Sequence, residues 1–267
     1  MTWKPPIHWN FCPSMTNNGS LVASNIYHAY DAAAGRIQAL ENVSFSLGNE
    51  TFTCLVGPSG CGKSTLLRIL AGLVQPESGS VSLNGSTLDS PRRKIGLVFQ
   101  DATLMPWRTV IQNIMLPLEF TGLSRQEQRR RADSMLELLG LSEFANAYPS
   151  ALSGGMAQRL AIGRALIYDP EVLLLDEPFG ALDALTREYV SEELLRIWSQ
   201  HKKTVLMVTH SIQEAILLSD RVLVMSPRPG RIVKDVTIDL PRPRSLDDML
   251  GTDFVRLEAQ VRAALRR

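Results

Sequence analysis

TFTCLVGPSGCGKSTLLRILAGL, residues 51–73, joins three patterns without a break. Residues 51–56 are apolar or β-branched and suit a buried strand. Leu66, Leu67, Ile69, Leu70 and Leu73 recur at helical spacing. Between them, Gly57-Pro58-Ser59-Gly60-Cys61-Gly62-Lys63-Ser64-Thr65 has the form G-x-x-x-x-G-K-S. In such a loop the backbone N–H groups wrap an oxyanion at a helix N-terminus, where the helix dipole also favours negative charge. Lys63 is placed to reach the β- and γ-phosphates of a nucleotide, and the Ser64 hydroxyl to ligate Mg²⁺. A glycine-rich turn with no ligand is the bland alternative. The strand before and the helix after are both present, so the stretch reads as a nucleotide site.

Working outward, Val43, Phe45 and Leu47 alternate with Ser44 and Ser46, which predicts a half-buried strand. It ends at Gly48-Asn49, where a turn through positive φ predicts a hairpin into residues 51–56. Short β-like pieces at 81–83 and 95–99 surround turns at Asn84-Gly85 and Ser90-Pro91. From Ser124 the pattern becomes helical, with Glu127 completing a capping box and Gly140 as terminator after Leu139. The run Val172-Leu173-Leu174-Leu175, a helix over 185–200 and a β-branched stretch over 204–209 predict buried parallel strands joined by a helical crossover. Beyond Arg228-Pro229-Gly230 the pattern suits edge strands and a short terminal helix. The fold class is α/β.

Composition narrows the function. The chain has 267 residues, 45% hydrophobic and 21% charged, which is ordinary globular usage. Lys+Arg 28 against Asp+Glu 27 gives a net charge of +1, so no general field gathers nucleic acid or anionic lipid. Arg129-Arg130-Arg131 reads as the solvated face of a capped helix. No run reaches the roughly 18 apolar residues of a membrane span. Residues 1–23 lack a secretory apolar region and read as a tail. Cys12, Cys54 and Cys61 show no paired metal-ligand spacing and suit reduced thiols.

Two further strings carry chemistry. The apolar run ends in Asp176-Glu177, which sets two carboxylates at the C-terminal tip of a buried strand, where ligands gather in open α/β sheets. Asp176 suits a metal contact and Glu177 the poising of an attacking water. Leu152-Ser153-Gly154-Gly155-Met156-Ala157-Gln158-Arg159 places a hydroxyl and bare amides at another helix start, a second half-site for phosphate.

That second string resembles the signature of ABC-type ATPases. The resemblance runs from about residue 24 to 240 and takes in, in order, Tyr30, the phosphate loop, Gln100, the signature, the Asp176-Glu177 strand, Gly180-Ala181-Leu182-Asp183 and His210. It implies a P-loop NTPase with a RecA-like core, an antiparallel β subdomain and a helical signature subdomain at about 101–160, within a domain spanning 24–245, followed by a helical tail at 246–267. It implies ATP and Mg²⁺ as ligands. Glu177, His210 and Lys63 would serve catalysis. Tyr30, with Tyr27 as the alternative, would stack on adenine, and residues Gly57, Pro58, Ser59, Gly60, Cys61, Gly62, Lys63, Ser64 and Thr65 would hold the phosphates. Ser64, Gln100 and Asp176 would address the metal. Two copies would pair head to tail as a homodimer, so that Ser153, Gly154 and Gly155 of one close on the nucleotide of the other and Asp183 joins the two sites. Met156 departs from the glutamine usual in the family, Ser211 from an aspartate and Asn49 from a glycine; none removes a reacting group.

An ATPase without a span of its own passes its work to a partner. Leu104-Met105-Pro106-Trp107-Arg108-Thr109-Val110, just past Gln100, is a candidate surface for it, with core packing as the rival explanation. The resemblance implies multi-span membrane permease subunits, an indirectly linked periplasmic or extracellular solute-binding protein, a place on the inner face of the membrane, and no nucleic acid. The strings around Trp107 and from Arg228 to Arg244 resemble nitrate, sulfonate and taurine importer ATPases. Pyrimidine precursors or aromatic acids are alternative cargoes, and an ABC ATPase acting on DNA or in translation is the alternative function.

Overall fold

The computed structural model describes residues 21–32, 35–180, 182–200 and 202–266. Most of the expected N-terminal tail, with Cys12, and also Ala181 lie outside the described residues. Leu21–Ala32 is a strand, so the domain boundary expected at 24 is placed too late.

Strands β1 (Leu21–Ala32) and β2 (Gly35–Leu47) pair antiparallel. β3 (Phe52–Val56) runs through the phosphate loop into α1 (Lys63–Leu70). β4 (Ser78–Leu83), β5 (Ser86–Thr87) and β6 (Ile95–Val98) follow. The middle of the chain is helical, with α2 (Val110–Met115), α3 (Arg125–Leu138) and α4 (Gly154–Leu166). Then come β7 (Val172–Asp176), α5 (Ala184–Gln200), β8 (Thr204–Thr209), α6 (Ile212–Leu218), β9 (Arg221–Met225), β10 (Ile232–Thr237) and α7 (Thr252–Leu265).

The strands form an antiparallel sheet in the order β2-β1-β4-β5 and a larger sheet in the order β10-β9-β3-β8-β7-β6. The larger sheet is parallel from β9 to β6, and β10 closes its edge antiparallel. Every residue of β3, β7 and β8 is buried, as strands covered on both faces must be. The hairpin expected at Gly48-Asn49 is not formed. A fully buried strand needs neighbours on both sides, so β3 pairs with β8 and β9, whereas the half-exposed β2 stays in the other sheet. The turn crosses between the sheets, and its left-handed residue is Glu50 (φ 54°) rather than Gly48 or Asn49.

Side chains alternate across the larger sheet. Leu55, Leu174, Leu206, Val208 and Leu223 face α1 and the small sheet in one core, while Val56, Leu175, Val205 and Met207 face helices in another. A third cluster joins α2, α3 and α4 through Ile114, Leu136 and Leu160. Because α4 runs on to Leu166 and supplies Ala161 and Ile162 to the sheet's core, the subdomain boundary expected near 160 falls inside a continuous helix. The helix expected to be short is 14 residues long, and its Phe254, Leu257 and Val261 are packed into the same core rather than held apart as a tail. The segment leading to it is fastened by Arg244, which is 8% exposed and donates to the carbonyls of Ile216, Ser219 and Leu240.

In α3 the Ser124 hydroxyl accepts from the Glu127 N–H, but the Glu127 carboxylate turns to Arg130 and Arg131. Half of the expected capping box is present. The bonds from these two arginines hold the Glu127 carboxyl down at about 2. Gly140 ends the helix as expected, with the Leu141 N–H returned to the Leu136 carbonyl.

Candidate functional site

The strand order β3-β8-β7-β6 lines up four chain segments at the C-terminal ends of parallel neighbours. They carry the phosphate loop after β3, His210 after β8, Asp176 and Glu177 at the end of β7, and Gln100 after β6.

At the phosphate loop, α1 starts at Gly62, whose φ of +109° belongs to glycine, and no side chain caps the helix. A Cβ on Gly62 would come within 2.9 Å of the Ala39 carbonyl oxygen, so the close approach of β2 demands glycine as well. Lys63 is 5% exposed, and its Nζ donates to the carbonyls of Gly57 at 2.9 Å and Pro58 at 3.1 Å. The loop thus aims its own cation. Cys61 is buried, and burial pushes its thiol up.

Ser64 Oγ donates to Asp176 Oδ1 at 3.0 Å. Burial pushes the Asp176 carboxyl up, while the Ser64 hydroxyl pulls the other way. The hydroxyl and the carboxylate in contact are oxygen donors of the kind Mg²⁺ takes, and Gln100 follows the neighbouring strand β6.

Glu177 sits at φ +44°, a conformation costly for a residue with a side chain. Its N–H donates to Val208 on β8, and its carbonyl accepts from Gly180, so both flanks hold the strained residue in place. Its Oε2 lies 3.3 Å from His210 Nδ1 and its Oε1 3.9 Å from Lys63 Nζ. A Cβ on Gly180 would lie 3.5 Å from Gln100 Nε2 and 3.6 Å from Glu177 Oε2, which places that amide and carboxylate around one point. His210 is half exposed and free to meet a ligand from outside.

Tyr30 lies at the same end, with its hydroxyl 3.1 Å from Thr65 Oγ1 on α1. Its ring is 40% exposed and meets His28 edge to face at 4.8 Å. Of the two tyrosines weighed from the sequence, Tyr30 is therefore the one tied to the phosphate loop.

The signature stands apart. Ser153 caps α4, accepting from the Met156 N–H, and among the described residues no hydrogen bond or ion pair joins Ser153, Gly154 or Gly155 to the phosphate loop. Ser153 and Gly154 are exposed. Gly155 is buried, and a Cβ there would meet Thr186 Cγ2 at 2.7 Å, so this glycine serves the packing of α4 on α5. Asp183 caps α5 by accepting from the Thr186 N–H, and the Thr186 side chain, with that N–H, lowers its carboxyl.

The 104–110 segment divides: Val110 is fully buried and Leu104 packs against the core, as the rival explanation expects, whereas Trp107 is 71% exposed. The loop beneath it is tied to α2 by hydrogen bonds. Asn113, fully buried, accepts from the Met105 N–H and donates to the carbonyls of Met105, Arg108 and Thr109.

Sequence reasoning missed His28, whose ring nitrogens have no hydrogen-bond partner among the described residues, and the buried acid Glu214 with its neighbour Arg187. Ser211-x-x-Glu214, a capping-box pattern at the start of α6, was the available signal for the second.

Comparison with known proteins extends these findings. The family model described as ABC transporter matches residues 40–180. The taurine import ATP-binding protein of Rhizobium johnstonii is 46% identical, over 88% of this chain and 92% of its own. The aliphatic sulfonates import ATP-binding protein of Bacillus cereus is 47% identical, over 81% and 85%. Among solved structures, the dimeric bacterial ABC transporter cassette MJ0796 superposes with a TM-score of 0.74 at 34% identity, over 83% of this chain and 100% of that one. A post-hydrolysis state of the same cassette, bound to ADP and Pi, gives 0.73.

Proposed function

The chain belongs to the ABC transporter family of ATP-hydrolysing cassettes, and from that premise we propose that it drives a membrane importer of small sulfonates such as taurine. The observation that carries the ATPase part is the convergence of Lys63, Glu177 and His210 beside one phosphate loop. The names of the relatives support import and the cargo class. The alternative on DNA or in translation has no comparable support, and the arginines that favoured it pair with Glu127 and Asp133 of their own helix.

In this reading ATP lies with its adenine on Tyr30 and its phosphates on the amides of residues 57–65. Lys63 reaches the outer phosphates from its seat on the Gly57 and Pro58 carbonyls. Ser64, Asp176 and Gln100 would hold Mg²⁺, which supplies charge neutralisation across the β- and γ-phosphates. Glu177 orients and deprotonates the attacking water, and His210 steadies that carboxylate while bridging to the γ-phosphate. The exposed Ser153 and Gly154, out of reach of the chain's own loop, complete the site of a second copy. Asp183 joins the two sites, and closure of this homodimer is the power stroke.

Trp107 and its hydrogen-bonded loop receive the permease, which places the chain peripherally at the inner membrane face; among the described residues no helix is long and apolar enough to cross one. A solute-binding protein on the other side would deliver cargo. The ATPase domain comprises the two sheets, the helical lobe and the C-terminal helix packed into its core.

Uptake of taurine, aliphatic sulfonates and nitrate in cells lacking the chain tests the cargo. Loss of sulfonate and taurine uptake, restored by the wild type and not by Glu177→Gln, is expected. Unchanged uptake of all three would reject the importer reading for these anions.

A further inference from the structure

Glu214, on the first turn of α6, is 9% exposed, and the reading above leaves it without a role. Its Oε2 accepts from the Thr209 hydroxyl at 2.6 Å. Its own N–H donates to the Ser211 hydroxyl at 3.2 Å, and the Ser211 N–H donates to Thr209 Oγ1 at 3.0 Å. These bonds close on the two residues that flank His210, and so fix the backbone from which the imidazole projects.

The other oxygen, Oε1, faces Arg187 Nε of α5 at 3.5 Å. Arg187 Nη2 donates to the Leu182 carbonyl at 3.0 Å, and its backbone N–H donates to the Asp183 carbonyl at 2.9 Å. One carboxylate therefore reaches the base of His210 on one side and, through a single arginine, the segment carrying Asp183 on the other. A glutamate at this capping position would ordinarily turn back to the helix start. Here it is diverted inward, where a carboxylate is expensive to hold unless fully paired. Removing the arginine would strand Glu214 in a buried setting, whereas the Arg187 side chain keeps 30% of its surface in water.

We propose that Glu214 is a positioning residue that couples the placement of His210 to that of Leu182 and Asp183, with Arg187 as the relay. The inference rests on the site assignment proposed above. A shift of His210 toward the γ-phosphate is felt by the Thr209 hydroxyl, passes through the carboxylate to Arg187, and reaches the residue that joins the second copy. Without the tie, each segment still folds and nucleotide still binds, but the two no longer move together and turnover slows.

The full chain is assayed as wild type, Glu214→Gln, Arg187→Met and the double variant. Steady-state ATPase rates are measured across ATP concentrations, alongside binding of a fluorescent ATP analogue without Mg²⁺. Glu214→Gln keeps the side-chain volume and an acceptor for Thr209 while removing the charge that faces Arg187. Each single variant should lower kcat about tenfold with KM and analogue affinity within about twofold of wild type, and the double variant should be no slower than the slower single, as members of one unit behave. The Hill coefficient for ATP should fall toward one in all three. Rates that multiply in the double variant, a loss confined to KM, or a kcat within about twofold of wild type would overturn the proposal. Should Arg187→Met fail to fold, Arg187→Lys, which keeps charge but not the planar fork, must show an intermediate kcat at unchanged KM, and a wild-type kcat there counts against the relay. A wild-type chain with no turnover at all would instead sink the site assignment itself.

Discussion

His210 Nδ1 lies 3.3 Å from Glu177 Oε2 although the two residues end different strands. The parallel register of β7 on β8, with Asp176 opposite Val208, brings them together, and the bond from the Glu177 N–H to Val208 turns the carboxylate toward the histidine. A backbone held at φ +44° for this one glutamate is strain that the fold retains where chemistry is expected. Glu177→Gln keeps shape and hydrogen bonding but cannot take a proton. Single-turnover hydrolysis should fall about 10²- to 10⁴-fold while ATP affinity stays within about twofold, and light scattering should detect an ATP-held dimer. Undiminished turnover would remove Glu177 from its role.

Lys63 is buried and satisfied by two carbonyls of its own loop, so it is aimed before nucleotide arrives. Lys63→Ala takes away the charge that meets the outer phosphates. Calorimetry should show ATP affinity reduced by about tenfold or more, since charge-assisted bonds of this kind are each worth about 1.5–3 kcal/mol. An unchanged dissociation constant would mean that the phosphates lie elsewhere.

Much of this site was legible because its signals are local. Strand, glycine loop and helix follow one another within residues 51–73, and Asp176-Glu177 ends an unbroken apolar run. Pairing was not legible. Gly48-Asn49 looks like a hairpin turn because a short-range pattern says nothing about which sheet receives the next strand, and that choice followed from the complete burial of β3. Likewise the row of strand ends depends on the order β3-β8-β7-β6, a long-range fact. Glu214 was half legible: its capping position shows in Ser211-x-x-Glu214, but its inward turn depends on Thr209 and Arg187, which only the packed structure supplies.

Gly154 and Gly155 look alike in the sequence and differ in the structure. A Cβ on Gly155 would press Thr186 Cγ2 at 2.7 Å and Val190 Cγ2 at 3.3 Å, whereas one on Gly154 meets only Leu182 Cδ2 at 3.2 Å. Gly155→Ala should cost about 1–3 kcal/mol by overpacking, and Gly154→Ala less. Thermal melts should therefore place Gly155→Ala below Gly154→Ala by several degrees, about 2–4 °C per kcal/mol in a chain of this size. Equal midpoints would show that α4 and α5 relax freely.

Burial pushes the Asp176 carboxyl up, so the folded chain keeps that proton to a higher pH than the unfolded chain does. The linked stability is complete below the unfolded value, near pH 4, and is lost as pH rises through the folded value. Asp176→Asn does not titrate. As pH rises above about 4 the melting midpoint of the nucleotide-free wild type should fall relative to that of the variant. The comparison isolates Asp176 from Glu214, which burial also pushes up and which both proteins share. Parallel curves would contradict the upward shift.

Trp107 gives a test of coupling that is separate from chemistry. Its exposure of 71% is enforced, because Asn113 binds the loop on both sides of it and Arg108 is engaged by Glu119. An indole held in water gains no burial from the described residues, whereas an apolar surface in a fixed conformation loses little entropy on docking. Trp107→Ala should therefore leave the ATPase rate and melting midpoint of the isolated chain near wild type. In cells, uptake of the transported solute should fall severalfold, and the variant should be recovered from membranes in smaller amount, because aromatic anchors at interfaces commonly carry about 2 kcal/mol or more. Full uptake together with full membrane recovery would place the permease on another face.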